Sequence, residues 1–251
     1  MPETYIRTGN SGAPVRLIAF HHAGGSASSF LPVAHRLQNS CDIVLFELAG
    51  REPGEEALRS SSFQEAVDRL TPDIKALVDR PTIIVGHSLG ALFAHAAVRA
   101  LEPDQLALVH RVVVSSSRSV RVAADAATMP KEPFVVRDHE QLLAALHSFG
   151  GCPPEMFEDE DFLNFALSLL GHDLHLADTF SDEGRAASIP LEVWYGKDDG
   201  TLVLEEMNSW KESSTLHVPF RVFPGGHFYV YERPEPVRAL RELVETAGRQ
   251  G

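Results

Sequence analysis

Val-Gly-His-Ser-Leu-Gly-Ala, residues Val85 to Ala91, is the stretch that decides the fold. The apolar run from Thr82 to Val85 reads as a short buried strand, and the alanine-rich run from Ala91 to Val98 reads as a helix. A strand, a Gly-x-Ser-x-Gly turn and a helix in this order are what a nucleophile elbow requires. Since a side chain at either glycine would clash with the strand or the helix, we predict a tight, strained turn. It would expose the Ser88 hydroxyl at the head of the helix, where free amide hydrogens lie.

The composition is that of a globular protein with one large α/β domain. Of the 251 residues, 44% are apolar and 23% are charged, and no stretch approaches the roughly 18 apolar residues of a membrane span. Met1 to Tyr5 lacks a signal-peptide pattern, and Cys41 and Cys152 do not make a disulfide framework, so we expect a cytoplasmic location. The net charge of −13, without any basic run of five or more, argues against a nucleic-acid partner.

Strands alternate with helices along most of the chain, which predicts a doubly wound, mostly parallel sheet. The predicted strands lie within residues 15–20, 43–46, 82–85, 111–116, 191–195 and 220–223, all rich in bulky apolar residues. Helical spacing begins near Phe30 and Phe63, another helix is expected from Leu204 to Trp210, and a closing helix runs from about Pro234 to Ala247. We therefore expect a single α/β domain over residues 1–251.

The alternation stops between residues 117 and 189, where three helical patterns but no convincing strand are present. The patterns cover His139 to Phe149, Glu160 to Leu170 and His172 to Phe180. We predict that this stretch, the cap segment (residues 117–189), is a helical cap inserted into the single domain rather than a second domain.

A serine hydroxyl needs a base to remove its proton, and that base needs an acid to hold it in one tautomer. In a fold with an elbow the expected chain order is Ser, then Asp or Glu, then His. His227 follows the last predicted strand in a Gly-Gly-His-Phe loop and is the predicted base. Asp198 and Asp199 both follow the strand 191–195, and because adjacent side chains point apart, only one of them can reach His227.

The oxyanion that forms when Ser88 attacks needs two preorganised donors. We predict that one is the backbone N–H of Leu89, the residue after the nucleophile. The other should come from the loop after the first predicted strand, where His22 to Gly25 reads His-Ala-Gly-Gly, and we assign it to Ala23.

Taken together, these motifs resemble the type II thioesterases of the α/β-hydrolase fold. These are the stand-alone editing enzymes that accompany polyketide and non-ribosomal peptide synthetases. The resemblance covers nearly the whole chain, and the family's Gly-x-x-Asp selects Asp199, the acid that we prefer. The matching segments are Phe20 to Ala27, Gly50-Arg51, Gly86 to Gly90, Phe149 to Gly151 with Pro153 to Glu155, Gly196 to Asp199, and Phe223 to Tyr229.

Three places depart from the family's pattern. His21 and Ala49 stand where the family has proline, and Gly171-His172-Asp173 stands where an arginine and a small residue are expected. These departures leave the predicted triad untouched and concern the packing of the cap and the acyl-chain preference.

The resemblance implies that the protein hydrolyses stalled or mis-primed acyl thioesters on the phosphopantetheine arm of a carrier protein. The reaction would pass through an acyl-serine and need neither a metal nor an organic cofactor. We expect a monomer.

Four basic residues of the cap segment are candidates to contact an acidic carrier protein, although a merely solvated face is an equal interpretation: Arg118, Arg121, Lys131 and Arg137. Its apolar residues are first of all packing residues, and some are candidates to line an acyl pocket: Leu142, Leu143, Leu146, Phe149, Phe162, Phe165 and Leu169.

Two other functions stay open at this point. A carboxylesterase or lipase would use the same residues on oxygen esters, and selectivity between thioesters and oxoesters separates the two. A non-catalytic hydrolase-fold protein would only bind an acyl group or a partner, and an intact Ser, Asp and His in the right order counts against it. His172 and His175 could share one helix face as metal ligands, but no cysteine or acidic cluster completes a site, so no metal is predicted.

Overall fold

The computed structural model describes residues 4–126, 137–150, 158–181 and 186–249. Its strands are β1 (Tyr5–Gly9), β2 (Arg16–Phe20), β3 (Asp42–Phe46), β4 (Thr82–His87), β5 (Val109–Ser115), β6 (Leu191–Gly196) and β7 (Phe220–Phe223). They form one sheet of seven strands in the order β1-β3-β2-β4-β5-β6-β7. Only β1 runs antiparallel to its neighbour, and every other pair is parallel. The predicted doubly wound, mostly parallel sheet is therefore confirmed.

The sequence analysis identified β2 to β7 and missed β1. The missed strand is half-buried to exposed along its length and carries no apolar run. It pairs with β3 from Tyr5 opposite Phe46 to Gly9 opposite Asp42, at the edge of the sheet. The strand β1 forms because it pairs with β3 and not because its side chains are buried. Its own sequence therefore has no hydrophobic periodicity that would predict a strand.

The helices are α1 (Leu31–Leu37), α2 (Phe63–Leu77), α3 (Leu89–Arg99), α4 (Pro103–Leu106), α5 (Val120–Ala126), α6 (His139–Phe149), α7 (Glu160–Asp178), α8 (Leu204–Asn208), α9 (Tyr229–Glu232) and α10 (Pro234–Gly248). The sheet separates two apolar layers. One layer holds the buried faces of α2 and α3, and the other holds those of α1 and α10. Among the described residues, none of the helices combines the length and apolar character needed to cross a membrane.

The helices α5, α6 and α7 lie between β5 and β6, within the cap segment. The helix over His139 to Phe149 is as predicted. The prediction of two helices over Glu160 to Leu170 and His172 to Phe180 is wrong, because α7 continues through Gly171. A single glycine costs a helix only about 1 kcal/mol, and the burial of Gly171 with its neighbours compensates for this. The helix predicted from Leu204 to Trp210 is α8, followed by a 3-10 turn over Ser209–Ser213. The division of the chain into a domain and an inserted cap stays a prediction.

The strand order determines where a site can form. β3 and β4 lie on opposite sides of β2, so the connections after β2 and after β3 leave in opposite directions. In open α/β sheets such a switch point leaves a crevice at the carboxyl ends of the strands. The loop after β2 and the turn after β4 both open onto this crevice, since Phe20 pairs with Gly86.

Candidate active site

Ser88 lies in the turn between β4 and α3 with φ 55° and ψ −121°. A positive φ is rare for a residue with a side chain and is a sign of local strain. A Cβ on Gly86 would overlap the carbonyl of Gly90, and a Cβ on Gly90 would overlap the carbonyl of Phe20. Only glycine therefore suits either place, and the close approach holds the start of α3 against the end of β2. The Ser88 N–H donates to the carbonyl of Ser115 at 2.8 Å, which ties the turn to β5.

Asp199 and His227 follow the neighbouring strands β6 and β7. Asp199 Oδ2 lies 2.9 Å from His227 Nδ1, and the two side chains are only 1% and 4% exposed. The loops that carry them pack backbone to backbone, since the Asp198 N–H donates to the carbonyl of Gly225 at 2.9 Å. A Cβ on Gly196 would overlap the carbonyl of Gly226. Of the two candidate acids, Asp199 is thus the one that the structure places against His227.

Thr201 is a member of this group that the sequence analysis missed. Its hydroxyl donates to Asp199 Oδ1 at 2.6 Å, and its N–H donates to the same oxygen at 3.0 Å. With Oδ1 bound by Thr201, Oδ2 is turned toward His227. The sequence did carry a signal, because an aspartate that binds the N–H two residues later forms an Asx-turn, and Asp-Gly-Thr is suited to one.

The pKa of the Asp199 carboxyl lies below its ordinary value. Burial by itself raises the pKa, but the hydrogen bond and charge of His227 and the hydrogen bond of Thr201 outweigh it. Asp199 is therefore ionised near neutral pH, as an acid that orients a histidine must be.

The surroundings of His227 are aromatic. The rings of His87 and Phe228 lie 5.0 and 5.1 Å from its ring, and Phe149 at the end of α6 lies at 5.1 Å. Burial lowers the pKa of His87 well below its ordinary value, and the pKa of His22 to about 3. Both imidazoles are consequently neutral near pH 7.

The two predicted oxyanion donors lie at the same edge of the sheet. Leu89 is the first residue of α3, so its N–H has no acceptor within the helix. Ala23 lies in the loop after β2, beside the turn that carries Ser88. The N–H of Gly24 is taken by Asp173 Oδ2 at 2.7 Å, so that donor is committed elsewhere.

The other candidates of the cap segment are placed as follows. Arg118, Arg121 and Arg137 pair with Glu206, Glu212 and Asp178 respectively, and Lys131 lies outside the described residues. Among the apolar residues, Leu142 and Leu169 are buried and Phe162 is half exposed. Gly151 and the segment 153–155 of the cap signature also lie outside the described residues.

The ring nitrogens of His172 and His175 serve as hydrogen-bond donors to the chain before α2. Their Nε2 atoms lie 2.8 and 2.7 Å from the carbonyls of Ser60 and Ser61. In the described part of the chain, no group of three or more His, Cys, Asp or Glu residues could hold a metal ion.

A cavity of about 690 Å³ opens between the chain after β3, α2 and α7. Leu48, Arg51, Leu70 and Leu176 are among its lining residues, and most of its wall is apolar. None of Ser88, Asp199 and His227 is among the described residues that line it. The cavity therefore lies apart from the three predicted catalytic residues, among which Asp199 and His227 are joined by a hydrogen bond at the sheet edge.

Comparisons with known proteins agree with this geometry. The sequence model of the family described as "Thioesterase domain" matches residues 15–247. A probable cadicidin biosynthesis thioesterase of Streptomyces griseus is 30% identical over 224 residues, which are 89% of this chain and 60% of that protein. The gramicidin S biosynthesis protein GrsT of Aneurinibacillus migulanus is 24% identical, over 89% of this chain and 86% of that protein.

The solved structure of the type II thioesterase BorB, from the borrelidin biosynthetic cluster, has the same fold. It superposes with a TM-score of 0.79 at 26% identity and covers 96% of this chain and 97% of its own. The seven-stranded sheet is thus of the α/β-hydrolase type. The match of the family model over residues 15–247 shows that the chain belongs to the thioesterase domain family.

Proposed function

We propose that this protein is a type II thioesterase that hydrolyses acyl thioesters from the phosphopantetheine arm of carrier proteins. One observation carries the proposal. A serine with a positive φ at the head of α3 lies at the same sheet edge as a buried, hydrogen-bonded Asp199–His227 pair. Membership of the thioesterase family and the likeness to BorB support the choice of a thioester as the scissile bond.

In the proposed mechanism, Asp199 holds Nδ1–H of His227, so that Nε2 accepts the proton of the Ser88 hydroxyl. Ser88 Oγ attacks the thioester carbonyl, and the N–H groups of Ala23 and Leu89 stabilise the resulting oxyanion. When the tetrahedral intermediate collapses, the pantetheine sulfur leaves and takes the proton from His227. Water, deprotonated by the same histidine, then attacks the acyl-serine and releases the acid and the free serine.

The carrier protein is proposed as the partner that delivers the substrate. Arg118, Arg121 and Arg137 each pair with an acidic residue, so these three arginines, taken among the described residues of the cap segment, present no unbalanced positive patch. An acidic carrier would therefore have to exchange with these ion pairs, of which Arg118–Glu206 and Arg121–Glu212 lie at the surface and are individually weak. The monomeric state and the cytoplasmic location stay predictions.

The test compares the wild type with Ser88→Ala on short acyl groups loaded on a carrier protein, with oxoesters of the same acyl groups alongside. We expect the wild type to clear the carrier thioesters faster than the oxoesters. Ser88→Ala should lose about 10⁴-fold or more in kcat, as nucleophile removal does in other serine hydrolases. Labelling of Ser88 by a fluorophosphonate, read by mass spectrometry, is the matched control for a competent nucleophile.

Each result decides between functions. Cleavage of oxoesters alone would keep the triad and overturn the thioesterase assignment. Absence of both cleavage and labelling in the wild type would overturn the enzymatic proposal in favour of an acyl-binding protein.

A further inference from the structure

We infer that Asp173, a carboxylate on α7, is a positioning residue that holds the loop after β2 so that the Ala23 N–H is ready for the oxyanion. The inference rests on the proposed function, because the oxyanion site is part of that proposal. It goes further by assigning a role in the reaction to a residue of the cap segment that the triad does not include.

Asp173 is fully buried, and both of its carboxylate oxygens are bound. Oδ2 accepts the Gly24 N–H at 2.7 Å and Arg51 Nη1 at 2.9 Å. Oδ1 accepts Arg51 Nη2 at 2.6 Å, and His172 Nδ1 lies 3.2 Å from the same oxygen. A charge-assisted bond of 2.7 Å to a backbone N–H is short and strong compared with a neutral one. One carboxylate thus joins three parts of the chain: α7, the loop after β2, and the loop after β3.

The peptide group before Ala23 is held by other atoms. The carbonyl of His22 accepts the Gly25 N–H at 3.1 Å and lies 2.8 Å from His21 Nδ1. A carbonyl can only accept, so His21 Nδ1 is the donor. Its Nε2 lies 3.4 Å from Glu47 Oε1 and 3.5 Å from the Leu48 nitrogen. Because a trans peptide is planar, fixing the His22 carbonyl also fixes the opposite direction of the Ala23 N–H.

The peptide group after Ala23 is the one that Asp173 holds. Its N–H belongs to Gly24, whose φ of +75° lies in the region that favours glycine. Ala23 is therefore flanked by two fixed peptide planes, and together they determine its backbone angles. If the Gly24 N–H were released, the second plane could rotate and the direction of the Ala23 N–H would be set at one side only.

Arg51 links the contact between Asp173 and the Gly24 N–H to the loop after β3. Its guanidinium is buried, forms the two parallel bonds to Asp173, and donates Nε to the carbonyl of Leu48 at 3.3 Å. The N–H of Leu48 lies near His21 Nε2. The side chains of Arg51 and His21, which act on the two peptide planes beside Ala23, therefore both contact Leu48. His21 stands where the resembled family has proline, which has no side-chain donor for such a bond.

A purely structural role for the Asp173–Arg51 pair is the competing explanation, and α7 offers a matched control. Asp178 lies on the same helix, is largely buried and receives two bonds from Arg137, and in the described part of the chain it makes no hydrogen bond to the loop after β2. We therefore compare Asp173→Asn and Asp173→Ala with Asp178→Asn and Asp178→Ala, at a temperature where thermal unfolding shows every variant to be folded.

Two readouts separate positioning from folding. The first is kcat and KM for a short acyl N-acetylcysteamine thioester. The second is the inhibition constant of an acyl trifluoromethyl ketone, whose adduct with a serine carries an oxyanion. We expect Asp173→Ala to lower kcat by about 10-fold to at most about 10²-fold, because the His22 carbonyl still holds one plane and only complete loss of an oxyanion donor costs about 10²-fold, with KM changed less than about 3-fold. The inhibitor should weaken by the same factor as kcat/KM. Asp178→Ala should change kcat less than about 3-fold, whatever its effect on Tm.

The inference is overturned if Asp173→Ala and Asp178→Ala have the same kcat, or if the inhibitor binds Asp173→Ala as tightly as the wild type. Should Asp173→Ala not fold, Arg51→Lys takes its place, since it keeps the buried positive charge but not the two parallel bonds. We expect it to lower kcat about 10-fold with a matching loss of inhibitor affinity. An active wild type with unaffected variants refutes this inference alone, whereas a wild type that neither cleaves nor labels refutes the proposed function as well.

Discussion

The two halves of α7 differ in what they contact. The first half, up to about Ala166, is half-buried to exposed, and Phe162 is 50% exposed. Most residues of the second half are buried, and they pack against the sheet and its loops. There, Leu176 is part of the apolar layer with α2 and α3, and His172, Asp173 and His175 bind the loops that follow β2 and β3 and precede α2.

This difference shows that the cap segment is not uniformly peripheral. The first half of α7 is half-buried to exposed, while the second half packs against the sheet and its loops. A polar residue in the second half therefore acts on the body of the protein, although its position in the sequence places it in the cap segment.

The largest effect on stability that we expect comes from Asp173→Asn. At pH 7 the variant should lose about 3 to 5 kcal/mol in the free energy of unfolding, because Arg51 is left buried without its partner. Burial by itself raises the pKa of the Asp173 carboxyl, but Arg51 and His172 hold it below its ordinary value. The stability from its ionised form is thus present above the unfolded value of about 3.9 and is lost as the pH falls through the lower folded-state pKa.

The measurement is urea unfolding of wild type and Asp173→Asn from pH 8 to pH 3. The gap between them should be constant from pH 8 to about 5 and should narrow below about pH 4. A gap that stays constant down to pH 3 would contradict the assignment of an ionised, paired carboxylate.

Leu176→Ala should come next, with a loss of about 2 to 4 kcal/mol, because it removes apolar atoms from a fully buried side chain and enlarges the cavity that Leu176 lines. The same change at Leu163, which is only half-buried in the first half of α7, should cost clearly less. Urea titrations with unchanged m values measure both. Equal losses in the free energy of unfolding would show that the two halves of α7 are packed alike.

The smallest effect should be that of Phe162→Ser, within about 0.5 kcal/mol of the wild type. Half of this side chain is already in water, so little apolar surface is lost. The same urea titration tests it. A loss above about 1 kcal/mol would mean that the first half of α7 is covered in solution.

Much of the fold could be predicted because it depends on local patterns. The strands β2, β3 and β4 each contain a continuous apolar run and are buried along their whole length, since both faces of the sheet are covered there. The edge strand β1 lacks such a run, and the continuity of α7 through Gly171 depends on tertiary burial that outweighs helix propensity. Neither could be read from the residues concerned.

At the candidate site, Ser88, Asp199 and His227 could be singled out because each follows a strand that ends at the same edge. Thr201 had a local signal in Asp-Gly-Thr that was not used. Asp173 had none: a carboxylate within a helical pattern is typical of a solvated face. Two of its partners, Gly24 and Arg51, lie 149 and 122 residues away in the sequence, so only the folded chain reveals these contacts.

The backbone of Ser88 has a consequence for how this sequence can drift over evolutionary time. Glycine adopts a φ of 55° without the steric cost that serine incurs, and relief of such a conformation is worth of the order of 1 to 3 kcal/mol. In a lineage that no longer needed the hydroxyl, a mutation of Ser88 to glycine would therefore stabilise the protein. That this chain retains the less stable residue at position 88 is what continued selection for a reactive hydroxyl would produce.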